Sequence, residues 1–91
     1  EFPRPGDELN VFVNFENQGN DDLRDVRLTA IIQDLGTRSN TLSRDVKDGK
    51  EALNTLTLEI PEDASAGRYW VEVVIDTDGD RRIKYRPIDI I

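Results

Sequence analysis

The sequence contains no cysteine and no histidine among its 91 residues. Without cysteine the chain can form neither a disulfide nor a thiolate metal site, and it has no thiol nucleophile. Without histidine it lacks the commonest general base and the commonest zinc ligand. These two absences exclude most of the side-chain sets on which enzymes rely. We therefore expect a protein that is not an enzyme and that uses no cofactor.

Long apolar runs are absent as well. No stretch approaches the roughly 18 apolar residues of a membrane-spanning helix, and no basic segment followed by an apolar one resembles a signal peptide. Nineteen acidic against twelve basic residues give a net charge of −7. That charge repels the phosphate backbone of nucleic acids and the surface of anionic membranes. We expect neither nucleic-acid binding nor direct insertion into a membrane.

The length of 91 residues fits one small domain with a single core. Residues 1–7, EFPRPGD, carry two prolines and a glycine, which prevent a helix and favour an extended lead-in or linker. Residues 8–91 then form the domain. The chain begins without methionine and ends on two isoleucines that continue a strand pattern, so we expect a segment of a longer protein.

Apolar and polar residues alternate along several short stretches, with the period of half-buried strands. The clearest are LNVFVNFE, DVRLTAIIQDL, LNTLTLEI and RYWVEVVID. Residues 36–50 give a weaker pattern, with Leu42 and Val46 on one parity, and predict a short edge strand. Turn residues separate the stretches, and no helical spacing of apolar residues persists over two turns. The pattern predicts an all-β fold, an immunoglobulin-like antiparallel β-sandwich of six to seven strands.

The segment DTDGD places aspartates at alternate positions beside a glycine, which raises the question of a calcium loop. In an EF-hand loop that begins at Asp76, position six is glycine and position twelve is a bidentate glutamate. Those positions hold Arg81 and Pro87. We favour a hairpin turn, and the alternative is a weak cation site formed by Asp76, Asp78 and Asp80.

The register of this hairpin follows from which residues share a face, because directly opposed residues lie on the same side of a sheet. An even-numbered loop opposes Glu72 to Tyr85 and mixes polar with apolar faces. An odd-numbered loop opposes Val73 to Ile83 and places both Ile83 and Tyr85 in the core. We predict the odd loop, formed by residues 77–79, with its glycine at positive φ.

A second acidic cluster lies at residues 20–25, where the segment NDD precedes Asp25. Its interleaved cations, Arg24 and Arg27, favour a solvated turn over a cation site. Carboxylate pairs also serve glycosidases as acid and base, but that chemistry needs a cleft for which a sandwich of this size has little room.

Four apolar residues fall on strand faces that the alternation assigns to solvent: Phe12, Ile31, Trp70 and Val74. If they lie on one sheet, they form a patch that contacts other proteins, neighbouring domains or sugars. Trp70 would then stack on a sugar ring, with Tyr69 as a second platform residue. The alternatives are an exchange of inner and outer faces on one strand, or packing of Trp70 beneath a loop.

Three stretches resemble a known family: PGD at residues 5–7, ENQGNDDLRDVRL at 16–28 and IPEDASAGRYWVEVVID at 60–76. They are similar to CARDB, the adhesion-related immunoglobulin-like domains of bacterial and archaeal surface proteins, and to repeats of archaeal S-layer-associated proteins. The family's first strand ends in an Asn-x-Gly-Asn turn, here Asn17 to Asn20. A Pro-x-x-Ala-x-x-Gly-x-Tyr segment, here Pro61 to Tyr69, leads into its penultimate strand. The closing RRIKYRPIDII departs from the acidic CARDB tail and favours the broader S-layer-like group.

The resemblance implies a non-enzymatic module of an extracellular or cell-surface protein, acting as a spacer or as an adhesion element. Its expected partners are neighbouring domains of the same chain or other surface proteins. The alternative is a carbohydrate-binding accessory domain of a secreted hydrolase, in which Trp70 and Tyr85 stack on a polysaccharide. An intracellular binding module is a third interpretation.

Overall fold

The computed structural model describes residues 2–19, 21–77 and 79–91. Within them the chain forms seven β-strands and one short 3-10 helix, and the strand pairs are antiparallel. The elements are β1 (Glu8–Glu16), β2 (Leu23–Ile32), the 3-10 helix η1 (Gln33–Leu35), β3 (Thr37–Arg38), β4 (Leu42–Val46), β5 (Glu51–Glu59), β6 (Gly67–Thr77) and β7 (Asp80–Ile90). The prediction of an all-β antiparallel sandwich of six to seven strands is confirmed.

The strands are divided unequally between two sheets. Among the described residues, the small sheet consists of β1 and β5. The large sheet runs in the order β3, β2, β6, β7, and β4 pairs with β2 farther along the same edge as β3. From the small sheet, β5 contacts β2, β3 and β4, whereas β1 lies toward β7. The large sheet therefore extends past the small one on the β7 side.

The core is filled by alternate side chains from both sheets, as the strand pattern predicts. The most completely buried side chains are Leu28, Ile32, Leu56, Leu58, Ile90, Val26 and Val73. The predicted inward faces of β1, β2 and β5 are confirmed, and so is the inward face of β6, where Tyr69 is half-buried. The predicted edge strand in residues 36–50 corresponds to β4, with Val46 buried and Leu42 half-buried.

The predicted register of the β6–β7 hairpin is wrong by one residue. Thr77 pairs with Asp80, so two residues separate the strands, and Glu72 pairs with Tyr85. Tyr85 and Ile83 therefore project outward, with 61% and 42% of their surfaces exposed. Asp-Gly is the residue pair that two-residue hairpin loops prefer, and Gly79 has a φ of 78°.

Charge pairing also favours the observed register. Arg81 lies opposite Asp76, and its Nε is 2.7 Å from Asp76 Oδ1. The odd register would have opposed Asp76 to Asp80 and placed two carboxylates side by side, which is unfavourable for a directly opposed pair. Local turn chemistry and this ion pair thus outweigh the apolar match on which the prediction rested.

The lead-in residues are hydrogen-bonded to the sandwich. The Gly6 N–H donates to the Ile60 carbonyl at 2.9 Å, and the Ile60 N–H donates to the Asp7 carbonyl at 2.8 Å. At the other end of the chain, the Ile91 N–H donates to the Pro3 carbonyl at 3.2 Å. In the described part of the chain, no helix has the length and apolar character needed to cross a membrane.

Candidate binding face

The outer face of the large sheet, which points away from the small sheet, carries a cluster of apolar and aromatic side chains. Pairing across β2, β6 and β7 aligns Thr29 with Val74 and Ile83, then Ile31 with Glu72 and Tyr85, and then Trp70 with Pro87. We call this cluster the outer patch; it consists of Ile31, Trp70, Glu72, Val74, Ile83, Tyr85 and Pro87. Its members come from three hydrogen-bonded strands, so they are held on one continuous surface.

Three of the four residues predicted to form an interaction patch belong to the outer patch: Ile31, Trp70 and Val74. Phe12 does not, because β1 pairs with β5 in the small sheet. Phe12 is 68% exposed on the outer face of that sheet, near the exposed Leu53. The four residues therefore do not form one patch, and the sequence could not reveal this because the assignment of strands to sheets depends on distant pairing.

The outer patch is highly exposed for a surface that consists mainly of apolar and aromatic side chains. Trp70 is 53% exposed, and together with Tyr85 and Ile83 it presents three large side chains to solvent. Contiguous exposed apolar surface of this kind marks contacts with other molecules more often than scattered apolar residues do. The predicted register assigned Ile83 and Tyr85 to the core, although the carbohydrate-binding alternative named Tyr85 as a stacking residue beside Trp70. The Asp-Gly dipeptide was the signal that could have placed both residues on the outer face.

A buried carboxylate lies at the centre of the outer patch. Glu72 is only 8% exposed although its side chain is on the outer face of β6. Its Oε2 accepts a hydrogen bond from Gln33 Nε2 at 2.7 Å, and its Oε1 accepts one from the Tyr85 hydroxyl at 3.3 Å. Burial of a charged group is costly unless hydrogen bonds compensate it, so these two contacts hold η1 and β7 against β6.

The charge of Glu72 also acts on its tyrosine neighbour. Repulsion between the Glu72 carboxylate and the phenolate raises the pKa of Tyr85 above its usual value, and desolvation and the hydrogen bond act in the same direction. The Tyr85 hydroxyl therefore remains a donor throughout the neutral pH range. The patch thus combines two exposed rings with a fixed group of hydrogen-bonding atoms from Gln33, Glu72 and Tyr85.

Ion pairs lie at both ends of the outer patch. Arg81 binds Asp76 at one end, and Arg68 Nε lies 2.9 Å from Asp89 Oδ1 at the other. The hydrogen bond from Arg68 lowers the pKa of Asp89 below its usual value. Exposed ion pairs of this kind contribute little to stability. Their effect here is that the charges at each end of the apolar surface are paired with opposite charges.

The carboxylates proposed for a weak cation site are engaged with arginines. Asp76 is bound by Arg81, and Asp80 Oδ2 lies 3.6 Å from Arg82 Nε. Asp78, the third candidate, lies outside the described residues. Among the residues that are described, no three carboxylates converge as a metal site would require.

The second acidic cluster is only partly the predicted turn, because β2 begins at Leu23 and Asp25 lies in that strand, at the register shift between Leu23 and Val26. The Asp25 carboxylate accepts hydrogen bonds from the Ser43 hydroxyl and from Arg27, and both lower its pKa, with Ser43 the larger influence. Asp22 Oδ1 accepts a bond from the Asp48 N–H at 2.8 Å. An aspartate whose pKa is below its usual range is ionised at neutral pH and cannot serve there as a general acid.

Neither the protein-family models nor the curated protein sequences include a match to this chain. Among solved structures, the chain is similar to a family 123 glycoside hydrolase from Clostridium perfringens, described for its hydrolysis of glycolipid glycans. The superposition has a TM-score of 0.69 and covers 99% of this chain, at 15% sequence identity. It covers 22% of the hydrolase, so the chain spans about a fifth of that enzyme's length. At this identity the likeness shows a shared β-sandwich fold.

Proposed function

We propose that this chain is a non-enzymatic accessory module of a larger secreted or cell-surface protein, and that it binds a polysaccharide through the outer patch. The observation that carries the proposal is the placement of Trp70 and Tyr85 on one rigid sheet face around the buried Glu72. The likeness to a sandwich that forms part of a glycoside hydrolase supports the accessory role.

The chemistry of the outer patch suits a sugar. The face of an aromatic ring packs against the C–H groups of a pyranose, and Trp70 offers the largest such face on this surface. Hydroxyl groups of a sugar need fixed partners, which the exposed Gln33 amide and Tyr85 hydroxyl supply, since their hydrogen bonds to the buried Glu72 hold both groups in place. Binding sites of this type combine an apolar surface with a few placed polar atoms.

A second candidate is a spacer or adhesion module that contacts a neighbouring domain or another surface protein. The aliphatic part of the outer patch, formed by Ile31, Val74 and Ile83, favours this function because such side chains offer nothing to a sugar hydroxyl. The resemblance of the turn signatures to surface-protein modules supports the same candidate and an extracellular location.

Titration with soluble polysaccharides, followed by fluorescence, tests the first candidate. Trp70 is the single tryptophan of the chain, so any change in emission reports on the outer patch directly. We expect a saturable change with at least one neutral polysaccharide. Because ring stacking is worth about 0.5–1.5 kcal/mol, Trp70→Ala should weaken binding by up to about tenfold, measured by calorimetry.

Two further variants complete the test. Phe12→Ala removes an aromatic ring of similar exposure from the other sheet and should leave binding unchanged. Tyr85→Phe keeps the ring but removes the hydroxyl that binds Glu72, and should weaken binding less than loss of the tryptophan ring. No saturable change with any polysaccharide, or equal losses in the Trp70 and Phe12 variants, would favour the second candidate.

A further inference from the structure

The outer edge of β1 carries backbone groups that are not paired with another strand in the described residues. The Asn17 N–H donates to the Lys50 carbonyl at 2.9 Å, which continues the β1–β5 register and shows that odd-numbered residues of β1 bond toward β5. Backbone groups of even-numbered residues therefore point to the opposite edge. The Phe12 carbonyl does so, since it accepts a hydrogen bond from Arg86 Nη1 at 2.8 Å. In the described part of the chain, no strand pairs with this edge.

Cations line the neighbouring inner face of β7. Arg82, Lys84 and Arg86 pair with inward-facing residues of β6 and so point to the same side as the core, yet all three are exposed. This follows from the unequal sheets, because in residues 2–19, 21–77 and 79–91 the small sheet has no third strand to cover them. We call the space between the outer edge of β1 and these cations the β1–β7 seam.

The two ends of the β1–β7 seam differ. At one end Ile90 is buried, and the chain is joined to the lead-in by the bond from Ile91 to Pro3. At the other end the seam opens into a cleft of about 540 Å³ between residues 14–16 of β1 and the cations Arg82 and Lys84 of β7. The seam is therefore open over the half of β1 that follows Phe12.

We propose that the β1–β7 seam accepts an extended peptide segment, which adds a third strand to the small sheet and carries acidic residues at alternate positions. An added strand lies about 4.8 Å from its neighbour, and facing sheets lie about 10 Å apart. Long cationic side chains on β7 can span that gap and reach carboxylates on the inner face of the segment. The backbone of β1 would supply the main-chain hydrogen bonds, as in other cases of strand addition.

The opposite face of the added segment has its own requirement. Phe12 is 68% exposed on the outer face of the small sheet, and Leu53, diagonal to it, is 71% exposed. An apolar side chain on the added strand would lie beside Phe12 and form a cross-strand pair. The preferred segment therefore alternates acidic with apolar residues.

Charge supports this choice of partner. The chain has a net charge of −7, yet three of its twelve basic residues, Arg82, Lys84 and Arg86, lie on the inner face of β7. Arg82 Nε is 3.6 Å from Asp80 Oδ2 and Arg86 Nη1 is bonded to the Phe12 carbonyl, so the segment's carboxylates would compete with these two acceptors. An acidic segment is repelled by most of the surface and attracted to this strand. The attraction raises the rate at which the segment meets the strand, and it also selects the register in which carboxylates lie opposite cations. Cations on an edge strand also have a simpler role, which is to prevent aggregation through edge-to-edge pairing. Titration with peptides separates the two roles. The proposal concerns a different surface from the outer patch and does not depend on it.

Backbone amide exchange during peptide titration tests the proposal. The probe is a blocked eight-residue peptide of alternating glutamate and valine, added to the isotopically labelled 91-residue chain and followed by NMR. We expect exchange at Asn14 and Glu16, the even-numbered residues in the open half of β1, to slow by at least about tenfold at saturation, because these amides gain hydrogen bonds. A peptide of the same composition with its glutamates grouped at one end should give no protection.

Variants separate strand addition from simple charge attraction. Arg82→Glu combined with Lys84→Glu should abolish binding of the glutamate peptide and permit binding of an alternating lysine and valine peptide. Asn14→Pro removes an N–H that faces the open edge and leaves the bonds to β5 in place, so it should abolish protection while the amides of Val11 and Val13 stay protected.

Three results would overturn the proposal. The first is that the amides of β1 show no protection from exchange at peptide concentrations up to about 1 mM. The cations would then serve to prevent aggregation. The second is equal binding of the grouped peptide, which would indicate attraction without strand addition. The third is protection of these amides in the free chain together with a doubled mass by light scattering, which would assign the edge to a second copy.

Discussion

Leu58→Ala is expected to lower the free energy of unfolding by about 3–5 kcal/mol, the cost of a cavity left by a fully buried leucine. Leu58 has no exposed surface, and it lies on β5, which with β1 forms the small sheet in the described part of the chain. The small sheet has few side chains with which to fill the space that the substitution leaves. A domain of this size has about 5–15 kcal/mol of stability in total, so the variant should be near its folding limit.

The matched control is Leu53→Ala on the same strand. Leu53 is 71% exposed and points away from the core, so its truncation should change the free energy by no more than about 0.5 kcal/mol. Urea unfolding followed by circular dichroism measures both values, provided that the denaturant slope is the same for the two proteins. Equal effects at the two positions would mean that the inner and outer faces of β5 are assigned incorrectly.

Asn17→Ala is expected to lower the free energy of unfolding by about 2–3 kcal/mol, because it removes three hydrogen bonds of a buried side chain and leaves the buried Val46 carbonyl without this partner. Asn17 is 3% exposed. Its Nδ2 donates to the carbonyls of Asp21 at 2.9 Å and Val46 at 3.0 Å, and its Oδ1 accepts from the Gly19 N–H at 3.0 Å. One side chain thus joins the end of β1, the following turn and β4.

Asn14→Ala is the control for this prediction. Asn14 is exposed on β1 and makes a side-chain bond of 3.2 Å to Glu51, so its loss should cost no more than about 0.5 kcal/mol. Thermal unfolding of the two variants at one protein concentration gives the comparison. A small effect of Asn17→Ala would show that water replaces its side chain and that the turn forms without it.

The strands of the core could be predicted because their signal is local. In β1, β2, β5 and β6, most inward side chains are apolar and buried or half-buried, with the polar Asn54 as an exception on β5. A period of two residues therefore identifies both the strand and its inner face. The turn at Asn17 was also visible as a motif, although its fourth residue, Asn20, lies outside the described residues. What the pattern could not show was that the side chain of Asn17 reaches β4, since that contact spans 29 positions.

The register of β7 could not be predicted from apolar matching, because the strand extends beyond the small sheet. Its inner face carries Arg82, Lys84 and Arg86 where the sandwich is open, and isoleucines only near its end. A rule that places apolar residues inside therefore selects the wrong face for Ile83 and Tyr85. The number of strands in each sheet decides which part of β7 is covered. That number depends on pairings between strands that are far apart in the sequence.

The sequence identified only part of the candidate site, because the remaining part depends on the register of β7. Trp70, Val74 and Ile31 stood out as apolar residues on outward positions, and they do share one face. Glu72 gave no signal, because an acid on an outward position is ordinary until Tyr85 and Gln33 are seen to cover it. Its burial depends on the register of β7 and on the placement of η1.

The outer patch exists only if β7 pairs with β6 through a two-residue loop. Cross-strand nuclear Overhauser effects measure this pairing directly in the labelled chain. We predict contacts that join Val74 to Ile83 and Glu72 to Tyr85, as directly opposed residues give. Contacts that join Val73 to Ile83 and Val71 to Tyr85 would contradict the account, because they would place both residues in the core and leave Trp70 without an aromatic partner.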